Sequence, residues 1–443
     1  MQIKPGATGH ILATHGVPTG WSPVRVDDLA KLVGGGTPST DDQSNWAGGT
    51  IPWATPTDIT ALRSKRIERT ATQITQHGLA SCAAKLLPPN TILYTSRATI
   101  GAKAVAAVAM ATNQGFANFL LKPGVNTDFL YYYLDLLTPI FIRLGAGTTF
   151  LEISKREMRK VQCALPPEPE QRAIADILDA VDVAIERTGT AIEKARRVKK
   201  SLVQSLFTKG IGHARFRPTV FGQIPSDWKV VSAGDVLREA QYGLSMPMHQ
   251  KGQYPILRMA AIQDGTVLLG DLKYVDLPER VAADYLLSRG DILFNRTNSG
   301  DLVGKVGVYH SDQAAVFASY LIRLKTNPDL VDNYFLGQLL ASYAVQCRIK
   351  RYATPGVQQV NINATNLQRV QIAVPVGDEG LKEQRAIAEI LEQQDECLRQ
   401  LERRVGLLDR LKRGMMQDLL TGKVRVPVGA MTDQKTMASL QPA

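Results

Sequence analysis

Glu170-Gln171-Arg172-Ala173-Ile174-Ala175-Asp176-Ile177-Leu178 returns 213 positions later as Glu383-Gln384-Arg385-Ala386-Ile387-Ala388-Glu389-Ile390-Leu391. Carried on without a gap, residues 170–208 and 383–421 share 14 of 39 positions. Agreement of that extent marks an internal duplication and not a chance likeness of two apolar periodic patterns. Each copy closes one half of the chain, so each half is expected to be one module followed by one long helix.

The bulk composition agrees with that division. A chain of 443 residues is too long for one core, and size by itself suggests about three domains; the repeat reduces this to two similar modules plus shared helices. With 44% apolar and 21% charged residues the composition is that of a globular protein. A formal charge of +11 and a pI near 9.4 favour a polyanionic partner. Nucleic acid fits better than membrane, because neither end carries a basic amphipathic anchor. Cys82, Cys163, Cys347 and Cys397 form no Cys-x-x-Cys pair and read as reduced packing residues. The first 14 residues lack a charged segment followed by a long apolar core. The longest weakly polar run, residues 104–111, falls short of the roughly 20 residues a spanning helix needs. A cytoplasmic location is the expectation.

Gly16-Val17-Pro18-Thr19-Gly20-Trp21 opens the first module and Gly222-Gln223-Ile224-Pro225-Ser226-Asp227-Trp228 the second, each an entry turn with an anchoring indole. Short β-branched or aromatic runs follow, such as Thr91-Ile92-Leu93-Tyr94 and Asp291-Ile292-Leu293-Phe294, with Tyr131-Tyr132-Tyr133-Leu134 helical in pattern. Gly147-Thr148-Thr149-Phe150-Leu151-Glu152-Ile153 and Gly356-Val357-Gln358-Gln359-Val360-Asn361-Ile362 end the modules, before Leu165-Pro166-Pro167 and Val374-Pro375.

The prolines release the chain into the long helices. Ile174, Val181, Thr188, Ala195 and Leu202 recur every seven residues, as do Ile387, Gln394, Leu401, Leu408 and Met415. Beside them lie a second row (Ile177, Ala184, Ala191, Val198; Ile390, Cys397, Leu411) and a third (Leu178, Ile185, Ile192, Leu206; Leu391, Leu398, Val405, Leu419). That is a coiled-coil stripe widened into a broad buried face, on a rod of about 59 Å at ~1.5 Å per residue. Glu168 and Glu170 favour the positive helix end, and Lys209-Gly210 and Thr421-Gly422 supply cap glycines. A lone helix would expose its stripe, so the two should pair with each other, antiparallel under the pseudo-twofold a tandem duplication favours. The fold class expected is α+β: two mixed, β-rich modules in pseudo-twofold arrangement, joined by two long antiparallel coiled-coil helices.

Catalytic motifs have little to attach to. Gly300-Asp301-Leu302-Val303-Gly304-Lys305 is one residue short of a phosphate loop and lacks Ser or Thr after the lysine, so it reads as a turn. There is no Gly-x-Gly-x-x-Gly, no His-Glu-x-x-His, no nuclease Glu-x-Lys and no Asn/Asp-Pro-Pro-aromatic stretch. A binder is expected, not an enzyme.

Two variable modules, each followed by a long helix starting Glu-Gln-x-x-Ile-Ala, resemble the specificity (S) subunit of type I restriction-modification systems. Local stretches are similar to that family too: Gly35-Gly36-Thr37-Pro38-Ser39, Trp46, Gly49-Thr50-Ile51-Pro52-Trp53, Leu93-Tyr94-Thr95-Ser96-Arg97-Ala98-Thr99-Ile100-Gly101 and Asn113-Gln114-Gly115 in the first module. In the second they are Ile292-Leu293-Phe294-Asn295-Arg296-Thr297-Asn298-Ser299 and Val303-Gly304-Lys305, while Gly243-Leu244-Ser245-Met246-Pro247 replaces the Gly-Gly-Thr-Pro-Ser stretch. The likeness covers about residues 16–426. The expected layout is a leader at 1–15, target recognition domain 1 at 16–165, a central helix at 166–210 and a linker at 211–225. Target recognition domain 2 follows at 226–375, then a C-terminal helix at 376–422 and a flexible tail at 423–443.

The resemblance implies a non-catalytic subunit whose two domains each read half of a split, asymmetric DNA site across an unread spacer. Its implied partners are double-stranded DNA, two methyltransferase (modification) subunits and motor-endonuclease (restriction) subunits. No cofactor is expected on this chain; S-adenosylmethionine, ATP and magnesium belong to the partners. The rival readings are a coiled-coil scaffold without sequence-specific DNA binding and a self-contained enzyme.

Base edges are best read by Arg on guanine and by Asn or Gln on adenine, while phosphates take Lys, Arg and hydroxyls. The expected contacts are therefore Ser96, Arg97 and Thr99 in one loop and Asn295, Arg296, Thr297, Asn298 and Ser299 in its counterpart, with Lys103 and Lys305 on phosphates. Thr37, Ser39, Thr40 and Trp53 come second, where Gly34-Gly35-Gly36 would let backbone approach DNA; Asn113, Gln114, Gln358 and Gln359 follow. Arg196, Arg197, Lys199 and Lys200 read as a solvated helix face. Gln171, Arg172, Gln384 and Arg385, where each helix starts, are assigned to subunit assembly.

Overall fold

A computed structural model describes residues 16–145, 151–263, 265–270, 272–355 and 359–427. The leader 1–15, residues 428–443 of the tail, and the Gly147-Thr148-Thr149-Phe150 and Gly356-Val357-Gln358 segments lie outside the described residues. The described residues form two compact units, one within 1–188 and 404–443 and the other within 189–403.

Each unit clasps its module at both ends. In the first, Ser22–Arg25 pairs antiparallel with Gln162–Leu165, the strand just before the first long helix. In the second, Trp228–Ser232 pairs with Gln371–Pro375, just before the second. The first module's main sheet runs Ala30–Gly34, Ala117–Leu121, Ile92–Tyr94, Lys103–Ala106, Arg66–Ile67, with the helix Thr127–Gly145 burying Phe129, Tyr132, Tyr133 and Phe141. The second module's runs Leu237–Tyr242, Leu321–Thr326, Ile292–Asn295, Val306–Val308, Gly265–Val267, Ile262–Gln263, with Asn333–Ala341 and Tyr343–Lys350 beside it. Both central strands, Ile92–Tyr94 and Ile292–Asn295, are buried along their whole length, as apolar runs covered on both faces must be. Residues 211–225, expected as a linker, contain a β-hairpin instead, Phe216–Thr219 paired with Gly222–Pro225.

The long helices are Glu168–Lys209 and Gly377–Leu420, and their tertiary partners account for much of the repeat. Glu170 accepts the Trp21 indole N–H at 3.2 Å, and Glu383 accepts that of Trp228 at 3.1 Å. Arg425 reaches both oxygens of Glu170 at 2.7 Å, and His213 Nε2 lies 2.9 Å from Glu383. Asp182 pairs with Lys412 at 2.6 Å in the first unit, and Asp395 with Lys199 at 2.5 Å in the second. In both units the helix segments therefore run antiparallel, and the identities Asp182/Asp395 and Lys199/Lys412 are the two ends of reciprocal ion pairs.

One expectation fails here. The second apolar row is buried only in part: Ile177, Ala184 and Ala191 are half-buried, but Val198 is 50% and Leu411 52% exposed, with Ile390 and Cys397 also open. A helix facing one partner buries only a stripe, which leaves those four side chains open. Cys347 is likewise exposed, so of the four cysteines only Cys163 is fully packed away.

Candidate nucleic-acid interface

In the first module the loop after Ile92–Tyr94 is held by backbone bonds. Thr95 N–H donates to Ala102 O at 2.8 Å, Ser96 N–H to Gly115 O at 2.9 Å, and Gly101 N–H to Thr95 O at 3.1 Å. From the other side Ala98 N–H donates to Leu151 O and Ile153 N–H to Ser96 O. Ala98 is left-handed, at φ 61°. Arg97 and Thr99 are exposed, with Arg97 Nε 3.6 Å from Glu152, while Ser96 is buried.

The second module repeats this frame. Asn295 N–H donates to Lys305 O and Gly304 N–H to Asn295 O, both at 2.8 Å, and Ile362 N–H donates to Arg296 O at 2.8 Å. Gly304 has φ 85°, matching Gly101 at 109°, a conformation that favours glycine. Thr297–Asn298 form a short strand against Val360–Asn361. Arg296 lies over the Tyr242 ring, 4.9 Å from its centroid, and its backbone N–H donates to Tyr320 O at 2.9 Å; both tyrosines are exposed. Ser299 is exposed and Lys305 half-buried, with no ion pair to Lys305 among the described residues.

Several assignments are corrected by burial and register. Lys103 is not a phosphate contact: its side chain is 8% exposed, ion-paired with Asp135 and 4.6 Å above the Tyr131 ring. Burial pulls its pKa down, against the opposing pull of Asp135. Tyr94 pairs with Lys103 whereas Phe294 pairs with Val306, so Lys103 and Lys305 stand one residue apart in register and point to opposite faces. Asn295 is fully buried, and neither Nδ2 nor Oδ1 has a partner among the described residues, so it presents nothing to a base edge.

Trp53 is also buried, its indole N–H donating to Gly36 O at 3.0 Å. Trp46 packs edge-on against it, 5.3 Å between centroids, and donates to Ser39 O at 2.8 Å. The two indoles thus brace residues 36–39 from below. Gly35 and Gly36 serve contacts inside the module, since an added Cβ would lie 2.0 Å from Asn113 O and 2.5 Å from Ala84 N respectively. Thr37, Ser39 and Thr40 remain exposed.

The two regions of the first module meet at Asn113-Gln114-Gly115. Exposed Gln114 accepts from the Thr37 hydroxyl, and Gly115 O holds Ser96. By residue type alone that stretch ranks low, and Tyr242 and Tyr320 stand outside every candidate stretch. The Gln-Gly pair was the available signal for the first; nothing local marked the tyrosines.

The assembly assignment divides. Gln171 is buried, donating to Gly124 O and Pro166 O and accepting from Asn126 N–H at 2.8–3.0 Å. Gln384 repeats this with Leu330 O, Pro375 O and Asp332 N–H. Both amides are spent on their own modules and cannot be subunit contacts. Arg172, paired with Glu168, and Arg385, unpaired among the described residues, are exposed. No group of three or more His, Cys, Asp or Glu among the described residues is placed to hold a metal ion. No described helix is long and apolar enough to cross a membrane.

The family model for the type I restriction modification DNA specificity domain matches this chain twice, over residues 18–195 and 225–413. The chain belongs to that family. It is 30% identical over 265 residues to the type I restriction enzyme MjaIX specificity subunit of Methanocaldococcus jannaschii, covering 57% of this chain and 60% of that protein. It is 28% identical over 307 residues to the MjaVIII specificity subunit of the same organism, covering 67% of this chain and 70% of that one. The match thus spans only about three fifths of the first relative's length. The S subunit of the type I restriction-modification system from M. genitalium shares the fold, with TM-score 0.56 at 16% identity over 90% of this chain and 96% of that one.

Proposed function

We propose that this chain is the sequence-specific DNA-binding specificity subunit of a type I restriction-modification complex. Its two domains would read the two halves of a bipartite, asymmetric site separated by an unread spacer. The observation that carries the reading is the double family match, one copy per module, each copy with the same backbone-braced loop on its central strand. Arg97, Thr99, Thr37 and Gln114 would face DNA in the first domain, and Arg296, Thr297, Asn298, Ser299 and Lys305 in the second. They are exposed or half-buried and of the residue types that read bases and phosphates.

In this reading the chain holds no cofactor. S-adenosylmethionine, ATP and magnesium act on the partner methyltransferase and motor-endonuclease subunits. Apolar side chains left open on the helices, Val198 and Ile390 in one unit and Val183, Leu407 and Leu411 in the other, suit protein partners. Arg172 and Arg385 are the remaining assembly candidates.

Methylation mapping of the source genome with and without this gene tests the proposal. A split adenine motif that vanishes on deletion is the expected result. An unchanged methylome, with no DNA binding in any assembly, would leave a scaffold as the better account.

A further inference from the structure

Arg348, like Arg296, carries its guanidinium over an aromatic ring with no ion pair among the described residues. It lies in the helix Tyr343–Lys350 with its guanidinium over the Phe221 ring, 4.0 Å from the centroid. The side chain is half-buried, Nε is enclosed without an acceptor, and no carboxylate pairs with it among the described residues. Its charged neighbour in the next turn is Arg351, exposed and of like sign, and burial first and Arg351 second push the Arg348 pKa down. Phe221 stands at the tip of the hairpin Phe216–Thr219/Gly222–Pro225. Buried Ile224 and the bond from Arg217 Nη2 to Trp228 O at 2.8 Å hold that hairpin in place.

A half-buried charge without a counter-ion is costly. With Nε enclosed, the guanidinium over the ring still has its Nη1/Nη2 edge for two parallel hydrogen bonds, the geometry that phosphate accepts. We propose that Arg348, stacked on Phe221, is an anion site of the second module whose ligand is a backbone phosphate of the DNA that module binds. The inference rests on the specificity-subunit reading.

Position favours DNA over an acidic protein. The same helix is tied to the candidate loop, Lys350 Nζ donating to Asp301 O at 2.9 Å and Gln346 Nε2 to Gly304 O at 2.8 Å. An anion captured by Arg348 therefore fixes the element that supports residues 295–305. Such a contact positions the duplex and carries no sequence information.

The test uses the chain assembled with its methyltransferase subunits and duplexes with and without the mapped motif, titrated across salt. Arg348→Gln should weaken both duplexes by the same factor, lower the slope of log affinity on log salt by about 0.9, and leave the methylated motif unchanged. Arg348→Lys should keep the slope but lose about fivefold in affinity, because an ammonium cannot make the flat paired contact; it decides the matter if the glutamine variant does not fold. Wild-type affinity and slope in Arg348→Lys and Arg348→Gln overturn the inference. So does loss of a partner subunit with DNA binding intact, which would assign the site to a protein carboxylate. If the wild-type complex itself selects no DNA, the functional reading fails; if it does and the variants match it, only this inference fails.

Discussion

Arg296 is the side chain on which base recognition by the second module should depend most. Tyr242 supports its guanidinium from one face, and Nη1 has only a long 3.5 Å bond to Ser319 O, so donors remain for a guanine edge. Arg296→Ala is expected to cost about 1–3 kcal/mol of binding and to relax selection at one position of one half-site, the scale of a bidentate base contact. Affinity across single-base variants of the mapped site checks this; an unchanged preference would remove Arg296 from the readers. His310 carries a different expectation. Its Nδ1 lies 3.7 Å from Glu392, its Nε2 is enclosed without a partner among the described residues, and its ring tilts against Tyr334. Burial first, then Arg399 and Arg289, pull its pKa to about 4, whereas the unfolded chain takes up the proton near 6.5. Its contribution to stability is intact above about pH 6.5 and is lost as pH falls toward 4, because the unfolded state protonates first. Urea unfolding of His310→Gln should fall off less steeply than wild type across that window; parallel curves would contradict it. At this scale residue type was readable in sequence and exposure was not: Lys103 and Lys305 look alike in the chain, and one step of register separates a buried ion pair from a half-exposed cation.

Along the helices, the reciprocal pairs set what each substitution should do. Asp395 is buried, bonded to Lys199 at 2.5 Å and to Gln338 at 3.1 Å. Asp395→Ala removes a buried carboxylate that both Lys199 and Gln338 reach and is expected to cost about 1.5–3 kcal/mol, the scale of hydrogen bonds to a charged group. Removing both charges as Lys199→Met with Asp395→Leu should restore much of that loss, and additive effects in the double-mutant cycle would refute the coupling. The glutamines obey the same local logic despite different spacing. Gln171 is five residues past Pro166 and Gln384 nine past Pro375, yet both donate to that proline's carbonyl. The four extra residues amount to about one helical turn, so the amide returns to the same face. Helix length, caps and pairing partner were legible in the heptads and in the identities. The exposure of Val198, Ile390 and Leu411 in the second apolar row was not, because periodicity records which side chains are apolar and not how many faces are covered.

For the molecule as a whole, the proposed function attaches one reading domain to each long helix. Inserting four residues into Glu168–Lys209 would rotate and displace everything beyond the insertion by about 40° and 6 Å, so the accepted spacer length should change while both half-sites stay the same. Methylation mapping of the insertion variant reads this directly, and an unchanged spacer would show that the helices do not set it.

Two modules, two long helices, their antiparallel pairing and the indole anchors all followed from the sequence. Each rests on periodicity or on a repeated residue, and both are properties of the chain read locally. The tertiary structure alone decided which members of the candidate loops are open. It buried Ser96, Trp53, Lys103 and Asn295, brought Gln114 to Thr37, and spent Gln171 and Gln384 inside their own modules. Those outcomes depend on strand register and on which distant segment covers a side chain, and no local pattern encodes either.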